Sequence, residues 1–306
     1  MNVKSPKALE NQEPGYILTL NSYLREVFGK KMVKLSLDGG FTCPNRDGTK
    51  GFGGCSFCSE MGSGDNASSI DRQIDLLSEK WKNAGYIAYF QSFSNTYGDV
   101  EELRTKYDAA LSDPRIQGLA VSTRPDCLSE EVLDLLSEYK DKTFFWTELG
   151  LQSINPKTME DMNLCYDLSD YRKAAEGLKA RDIPFVAHII LGLPGESRQD
   201  MFDTVEYAVN SGSRGLKLHL FNLVKGTKLA RENPDYQAFS SPQEYISLVA
   251  DLLEIIPSHI VMHRLSADTR AELLISPKWA YRKKLILDGI KHELINRGTY
   301  QGYNSI

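Results

Sequence analysis

Short apolar runs and longer amphipathic segments alternate along most of the chain. Short apolar runs predict strands, and apolar residues that recur every three to four positions predict helices. Because single helices separate the strands, the pattern predicts right-handed βαβ units around a parallel sheet. The predicted strands are 31–37, 86–91, 118–123, 143–151, 184–193 and 215–224, with a last candidate at 259–265. The predicted helices are 69–81, 99–111, 129–139, 168–182, 197–212 and 241–256.

The number of units sets the architecture. About six β/α units are too few for a closed eight-stranded barrel, so the sequence predicts an α/β fold that is a partial (β/α)6 barrel of the TIM type. Its active site is expected at the C-terminal ends of the strands. Residues 1–15 are predicted to be a disordered leader, 16–266 the barrel core, and 267–306 a helical extension packed on that core.

Composition excludes several classes of protein. The 306 residues are 41% hydrophobic, and the net charge of −5 gives no global sign of nucleic-acid binding. An odd count of five cysteines argues against a disulfide framework. No apolar run has the length of a membrane span, and the polar N-terminus lacks the apolar core of a signal peptide. We therefore expect a cytoplasmic protein with reduced thiols and no membrane association.

Three of the cysteines fall in one glycine-rich loop directly after the first predicted strand. Cys43, Cys55 and Cys58 lie there with five glycines that allow the backbone to curl around a bulky group. Soft thiolates select zinc, copper(I) or iron–sulfur clusters. A structural zinc site needs four protein ligands, and no histidine is near in sequence. Three thiolates leave one iron of a four-iron cluster open for chemistry. The loop favours the cluster, and zinc stays the alternative.

The same loop and several later stretches resemble a known family. The run CPNRDGTKGFGGCSFC (43–58) is similar to the cysteine motif of the radical S-adenosylmethionine (SAM) superfamily, in its YtqA/YhcC-like subgroup, which is related to elongator-type radical SAM domains. The resemblance covers about residues 16–302. The other similar stretches are YFQSFSNTY (89–97), STRPDCL (122–128), ELGLQS (148–153), HIILGLPGE (188–196), LKLHLFNLVKGT (216–227), HRLSAD (263–268) and NRGTYQG (296–302).

The resemblance implies a mechanism and a set of cofactor contacts. SAM would chelate the open iron of a [4Fe-4S] cluster held by the three loop cysteines. One electron would then cleave SAM to a 5′-deoxyadenosyl radical that abstracts a substrate hydrogen. Glu148 and Gln152 resemble the family's SAM amine and ribose contacts, and His188 and Gly192 fall in its fifth-strand motif. The candidate SAM contacts are Phe57, Gln91, Asn95, Arg124, Glu148, Gln152, His188 and Gly192.

One stretch departs from the family pattern. Relatives carry Asn-Arg-Gly-His after the fourth strand, and that arginine is the implied partner of the SAM carboxylate. Here the stretch reads Asn-Leu-Cys-Tyr (163–166), and Leu164 cannot donate a hydrogen bond. We therefore predict that Arg124, after the third strand, binds the carboxylate instead, with Lys217 as second candidate. The alternative for Arg124 is an ion pair with nearby Asp126.

Lys217 and His219 are the candidates for catalysis on the substrate. They alternate on the sixth predicted strand and so face the barrel interior together. For His219 the alternative is a hydrogen-bonded core histidine. Two further functions stay open: a radical SAM enzyme that acts on a small metabolite or peptide, and a metal- or cluster-bearing binding module without catalysis.

The segment 277–298 is both basic and amphipathic. Leu287, Ile290 and Leu294 form its apolar stripe. A surface helix that closes the barrel end is one interpretation, and a patch for a phosphate backbone is the other. Because the subgroup and its elongator-type relatives are associated with wobble uridine modification, the resemblance implies a tRNA partner. It also implies an electron donor such as flavodoxin or ferredoxin. The basic residues are Lys278, Arg282, Lys283, Lys284, Lys291 and Arg297.

Overall fold

A curled parallel sheet is the centre of the protein. The computed structural model describes residues 16–59, 62 and 68–305, so the predicted leader, 1–15, lies outside the described residues. The sheet has seven strands in the order β1-β2-β3-β4-β5-β6-β8 and forms an open half-barrel. This confirms the predicted α/β partial barrel. The sheet has seven strands, one more than six β/α units would provide. The strands are β1 (Met32–Leu37), β2 (Gly85–Phe90), β3 (Ile116–Thr123), β4 (Phe144–Gln152), β5 (Phe185–Leu191), β6 (Gly215–Leu220) and β8 (Val261–Arg264).

Ten helices accompany the sheet in the described part of the chain. The sixth predicted strand is shorter than expected, because its end turns away as β7 (Leu223–Val224) and pairs with β9 (Leu274–Ser276) in an antiparallel ribbon. Three helices, α1, α5 and α8, were not predicted. The helices are α1 (Leu20–Phe28), α2 (Ile70–Ser78), α3 (Val100–Leu111), α4 (Glu130–Lys142), α5 (Pro156–Asp161), α6 (Leu168–Ala180), α7 (Arg198–Asn210), α8 (Lys228–Glu232), α9 (Pro242–Ile255) and α10 (Lys283–Arg297).

Side-chain alternation divides the interior of the half-barrel into layers. The lower layer is apolar and packs with Leu24 of α1. Two residues further along each strand, the side chains that point the same way are polar. The floor therefore excludes water from below, while the upper layer supplies charge and hydrogen-bonding groups. The floor consists of Met32, Ile87, Ala120, Trp146 and Val186. The polar layer consists of Lys34, Tyr89, Ser122, Glu148, His188 and Lys217.

The C-terminal helix α10 packs against α9. Its buried stripe is Ile286, Ile290 and Leu294, whereas Leu287 is 37% exposed, so the stripe predicted from Leu287 was shifted by one residue. Arg297 fixes the end of α10, since its guanidinium contacts Asp251 of α9 at 2.5 Å. The domain boundary at 266 stays a prediction. In the described part of the chain, no helix has both the length and the apolar character that crossing a bilayer requires.

Candidate active site

A cavity of about 400 Å³ lies at the C-terminal ends of the strands, beneath the cysteine loop. Parallel strands bring their carboxyl ends to one edge, which is why residues far apart in sequence meet there. Most of the predicted site residues line this cavity, including all three loop cysteines. The predicted residues in its wall are Cys43, Cys55, Phe57, Cys58, Gln91, Arg124, Glu148, Gln152, His188, Lys217 and His219.

Two predicted SAM contacts, Asn95 and Gly192, are not among the cavity-lining residues. Asn95 is fully buried, and its Nδ2 donates to the Ser122 carbonyl at 2.8 Å, so it ties the loop after β2 to strand β3. Gly192 has φ +88°, and a Cβ there would lie 2.7 Å from the Ala238 Cβ. Its lack of a side chain therefore permits close packing against 238–239, and its contact with SAM stays a prediction.

The cysteine loop is compact because glycine permits conformations that other residues avoid. Gly53 and Gly54 have φ +78° and +79°, in the left-handed region. A Cβ on Gly51 would lie 2.4 Å from Asn45 Oδ1. Asn45 is fully buried, and its Nδ2 donates to the Asn163 carbonyl at 2.5 Å. This hydrogen bond attaches the cysteine loop to the segment after α5 and so fixes the position of the loop.

The three thiols interact electrostatically within this loop. Burial raises the pKa of Cys43, and the Arg124 charge opposes that effect. A hydrogen bond between Cys55 and Cys58 raises the pKa of Cys55 and lowers the pKa of Cys58. All five cysteines are free. The donor set, three reduced thiols in one enclosed loop beside arginine charge, fits an iron–sulfur cluster with one open iron.

No group of three or more His, Cys, Asp or Glu side chains in the described residues is arranged to hold a single metal ion. The fit to a cluster therefore rests on the chemistry and enclosure of the thiols, not on a ready-made site for one ion. Cys127 is buried, and burial raises its pKa to about 12. Cys127 does not line the cavity.

Glu148 is the centre of the polar layer, and protein donors occupy its carboxylate. The Lys34 ammonium lies 3.1 Å from one oxygen, which also accepts from Trp146 Nε1 at 3.1 Å. The other oxygen accepts from Tyr89, Lys217 and, at 3.0 Å, His188 Nε2. A carboxylate offers about four acceptor positions, so this one is saturated. The predicted contact of Glu148 with the SAM amine stays a prediction that would require one of these donors to give way.

His188, His219 and Lys217 lie near Glu148 and differ in their protonation and hydrogen bonding. Burial lowers the pKa of His188 to about 4, so its ring is neutral near pH 7. The His219 ring lies tilted against His188 at 5.3 Å between centroids. No hydrogen bond from His219 is present among the described residues, so the alternative of a hydrogen-bonded core histidine gains no support there. Lys217 Nζ donates hydrogen bonds to Glu148 and Tyr89.

Gln152 ends β4 in a strained conformation. Its φ is +65°, in the left-handed region where non-glycine residues are uncommon, and the register with β5 shifts there. Its amide lines the cavity and makes no hydrogen bond within the described residues. Strain of this kind costs of order 1–3 kcal/mol and concentrates at functional sites. The geometry therefore supports the predicted role of Gln152 in ligand binding.

Sequence reasoning missed four side chains that shape the site. Lys34 and Tyr89 lie in the middle of strands that read as ordinary apolar runs, yet Lys34 Nζ sits 4.1 Å from the Tyr89 ring centroid. Arg264 and Asp268 form an ion pair of 2.9 Å at the β8 side of the cavity. The available signal was a charged or hydroxyl side chain inside a strand, since such a residue must face either solvent or a polar interior.

Comparison with known proteins identifies the family. The model of the radical SAM superfamily matches residues 43–208, and that of the Radical_SAM C-terminal domain matches 213–296. The chain belongs to the radical SAM superfamily. It is therefore an enzyme, and as a member of this family it binds a [4Fe-4S] cluster and SAM.

Similar proteins support the YtqA/YhcC-like subgroup. YtqA of Bacillus subtilis (strain 168) is 42% identical over 99% of this chain and 96% of its own length. YhcC of Escherichia coli (strain K12) is 39% identical over 82% of this chain and 84% of its own. The structure of Methanocaldococcus infernus Elp3 with an N-terminal deletion superposes with a TM-score of 0.62 at 16% identity, covering 75% of this chain and 58% of Elp3. That last likeness shows the fold alone.

More distant relatives share only part of the chain. Elongator complex protein 3 of Schizosaccharomyces pombe is 25% identical over 54% of this chain and 30% of its own length. The tRNA-2-methylthio-N(6)-dimethylallyladenosine synthase of Caldicellulosiruptor saccharolyticus is 28% identical over 43% of this chain and 29% of its own.

Proposed function

We propose that this radical SAM enzyme modifies the side chain of a wobble uridine in tRNA. The cluster, when bound and reduced by a carrier such as flavodoxin or ferredoxin, supplies the electron that cleaves SAM to a 5′-deoxyadenosyl radical. Cys43, Cys55 and Cys58 hold the cluster, and the walls of the cavity exclude water from the radical. The reaction takes place in the cytoplasm, where thiols stay reduced.

Two lines of relationship support an RNA substrate. One distant relative is named as a tRNA-modifying synthase, and another is an elongator protein. The resemblance of the sequence to the YtqA/YhcC-like subgroup points to the wobble position in particular. A small metabolite or peptide stays the alternative substrate.

One structural observation carries the proposal: the basic segment begins at the edge of the cavity. Lys283, the first residue of α10, contacts Asp268 at 2.9 Å, and Asp268 lines the cavity. Asp268 also pairs with Arg264 in the cavity wall. A nucleotide whose base enters the cavity would place its flanking phosphates near the segment that leads into α10. Phosphate contacts of this kind position a nucleic acid without reading its sequence.

We narrow the proposed phosphate-binding patch from six basic residues to three. Arg297 is half-buried and pairs with Asp251 of α9, Lys284 pairs with Asp288, and Lys283 pairs with Asp268. The other three are exposed and have no acidic partner in the part of the chain that the structure describes. These three are Lys278, Arg282 and Lys291.

The decisive experiment is the nucleoside profile of tRNA from a strain that lacks the gene. We expect one wobble nucleoside to disappear and its precursor to accumulate. The parental gene should restore the profile, and a gene encoding Cys55→Ala should not. An unchanged profile would exclude the tRNA proposal and leave the metabolite or peptide alternative.

Binding of tRNA tests the surface separately. Replacing Lys278, Arg282 and Lys291 with Gln should weaken binding across sequences and reduce the slope of log K against log salt by roughly 2 to 3. The matched control replaces Lys80, Lys82 and Lys179, which are exposed near the N-terminal ends of β2 and β5, at the opposite end of the sheet. If both triple variants lower the slope equally, the basic segment is not the phosphate-binding surface.

A further inference from the structure

The buried guanidinium of Arg124 has one nitrogen without an acceptor. Its Nε and Nη2 donate to the two carboxylate oxygens of Asp126, each at 2.9 Å. Nη1 is buried and has no hydrogen-bond partner among the described residues. An arginine stays charged in a protein, so it cannot relieve this cost by losing a proton. An unpartnered buried donor is uncommon enough to need an explanation, and a bound anion supplies one.

The guanidinium is also held in position by its surroundings. The Asp126 side chain is 1% exposed, and its carboxylate also contacts Lys50 Nζ at 3.0 Å. Lys50 belongs to the cysteine loop, between Cys43 and Cys55. The Tyr166 ring lies below the guanidinium, with 4.9 Å from its centroid to the Arg124 Cζ. Asp126 therefore joins the loop that holds the cluster to the arginine after β3.

The other cations of the cavity have protein partners, and Arg46 Nη2 donates to the Ser59 carbonyl at 2.5 Å. Lys217 contacts Glu148 and Tyr89, and Arg264 Nη2 donates to Asp268 at 2.9 Å. Position 164 supplies no donor, because Leu164 is 1% exposed and packs in an apolar cluster with Met159. In the described part of the chain, Arg124 is thus the cavity-lining cation that retains an unpaired buried donor.

We propose that Arg124 binds the carboxylate of SAM through Nη1, and that Asp126 and Lys50 are positioning residues that orient its guanidinium. A carboxylate in a cavity of this kind needs a charged partner to offset its lost hydration. A guanidinium has several donors in one plane, so it can donate to Asp126 along one edge and to the ligand along another. The ion pair between Arg124 and Asp126, which the sequence offered as an alternative to SAM binding, is instead a condition for it. This inference rests on family membership and not on the identity of the substrate.

Two ligands test the proposal. Calorimetry under anaerobic conditions compares SAM with decarboxylated SAM on protein whose iron content and absorbance match the parent. Arg124→Ala should weaken SAM binding roughly 30-fold or more, which corresponds to about 2 kcal/mol at 1.4 kcal/mol per tenfold change. It should leave the affinity for decarboxylated SAM unchanged. Arg264→Ala is the matched control, an arginine lost from the same cavity, and should not change the ratio of the two affinities.

The roles of Asp126 and Lys50 are tested by the ratio of the affinities for SAM and decarboxylated SAM. Asp126→Asn keeps the shape of the side chain but removes the charge that orients Arg124, so it should lower the preference for SAM over decarboxylated SAM. Lys50→Gln should do the same to a smaller degree. A purely structural role would weaken both ligands equally. Equal losses for the two ligands in Arg124→Ala, a shift of the cluster potential without a change in the ratio, or a silent Arg124→Ala would each overturn the proposal.

Discussion

Glu148 and Arg124 are two buried charges in one cavity, and they differ in how much of their hydrogen-bonding capacity the protein uses. Lys34, Lys217, Tyr89, Trp146 and His188 all contact the Glu148 carboxylate. Among the described residues, the Arg124 guanidinium has one hydrogen-bonding partner, Asp126, and one nitrogen without an acceptor.

The difference separates a structural charge from a binding charge. A saturated buried ion contributes to stability and shape, because removing it leaves its partners uncompensated. An ion with an unused donor is available to a ligand. By this criterion we infer two walls. The scaffold wall is formed by Glu148 and its partners Lys34 and Lys217, and the binding wall is formed by the cysteine loop, Arg124 and Gln152. Our two fourth-strand candidates also divide this way, since Glu148 is saturated and the Gln152 amide is unpaired.

The largest effect expected on the binding wall is loss of the cluster. Anaerobically purified parent should contain about four iron and four sulfide per chain. Cys55→Ala should contain almost none, because three thiolates are the full set that the loop provides. Iron and sulfide analysis with absorbance spectra measures this. Cys127→Ala and Cys165→Ala are the controls and should keep the cluster. A complete cluster in Cys55→Ala would remove the basis for calling this wall the binding side.

The next largest effect concerns the scaffold wall. Glu148→Ala should lower the free energy of unfolding by about 3–5 kcal/mol, since it leaves Lys34 and Lys217 without their buried counter-charge. Denaturant unfolding under anaerobic conditions measures it. Gln152→Ala is the control and should change stability little. If Glu148→Ala is as stable as the parent and only SAM binding suffers, Glu148 belongs to the binding wall and the comparison fails.

The pH dependence of stability sharpens the same point. Burial alone would raise the pKa of Glu148, but Lys217 and Lys34 hold the pKa well below its usual range. A depressed carboxyl pKa gives stability that is present above the unfolded value, about 4.3, and is lost as the pH falls below it. We therefore compare how the free energy of unfolding of the parent and of Glu148→Gln falls with decreasing pH. Below about pH 4.3 the slope should be smaller for the variant, by up to about 1.4 kcal/mol per pH unit. Equal slopes for the two proteins would contradict the structural role of the Glu148 charge.

The smallest effect is expected at Gln152. Gln152→Ala should weaken SAM binding by roughly 3- to 10-fold, the effect of one hydrogen bond of about 0.5–1.5 kcal/mol. Because its φ of +65° is strained, Gln152→Gly should bind equally weakly but be more stable than the alanine variant. Calorimetry and thermal unfolding measure the two properties. Unaltered SAM affinity in both variants would show that the strained residue has another role.

Local signals in the sequence predicted the strands and the binding wall better than the scaffold wall. The cysteine loop carries its chemistry in consecutive residues, and Gln152 and Arg124 follow strand ends where parallel sheets place their sites. Lys34 and Tyr89 were missed because only the curl of the sheet decides which face of a strand becomes the interior. The register of α10 was misjudged for a similar reason, since packing on α9 selects Ile286 over Leu287.

The apolar floor of the half-barrel has a consequence for the order of events in a catalytic cycle. In the described part of the chain, Met32, Ile87 and Trp146 pack with Leu24 of α1 and close the lower end of the half-barrel. We therefore expect SAM and substrate to enter from the side of the cysteine loop. A substrate as large as a folded RNA would cover that entrance once it docked. SAM must then arrive first and its fragments depart last, a compulsory sequence that product-inhibition kinetics would reveal.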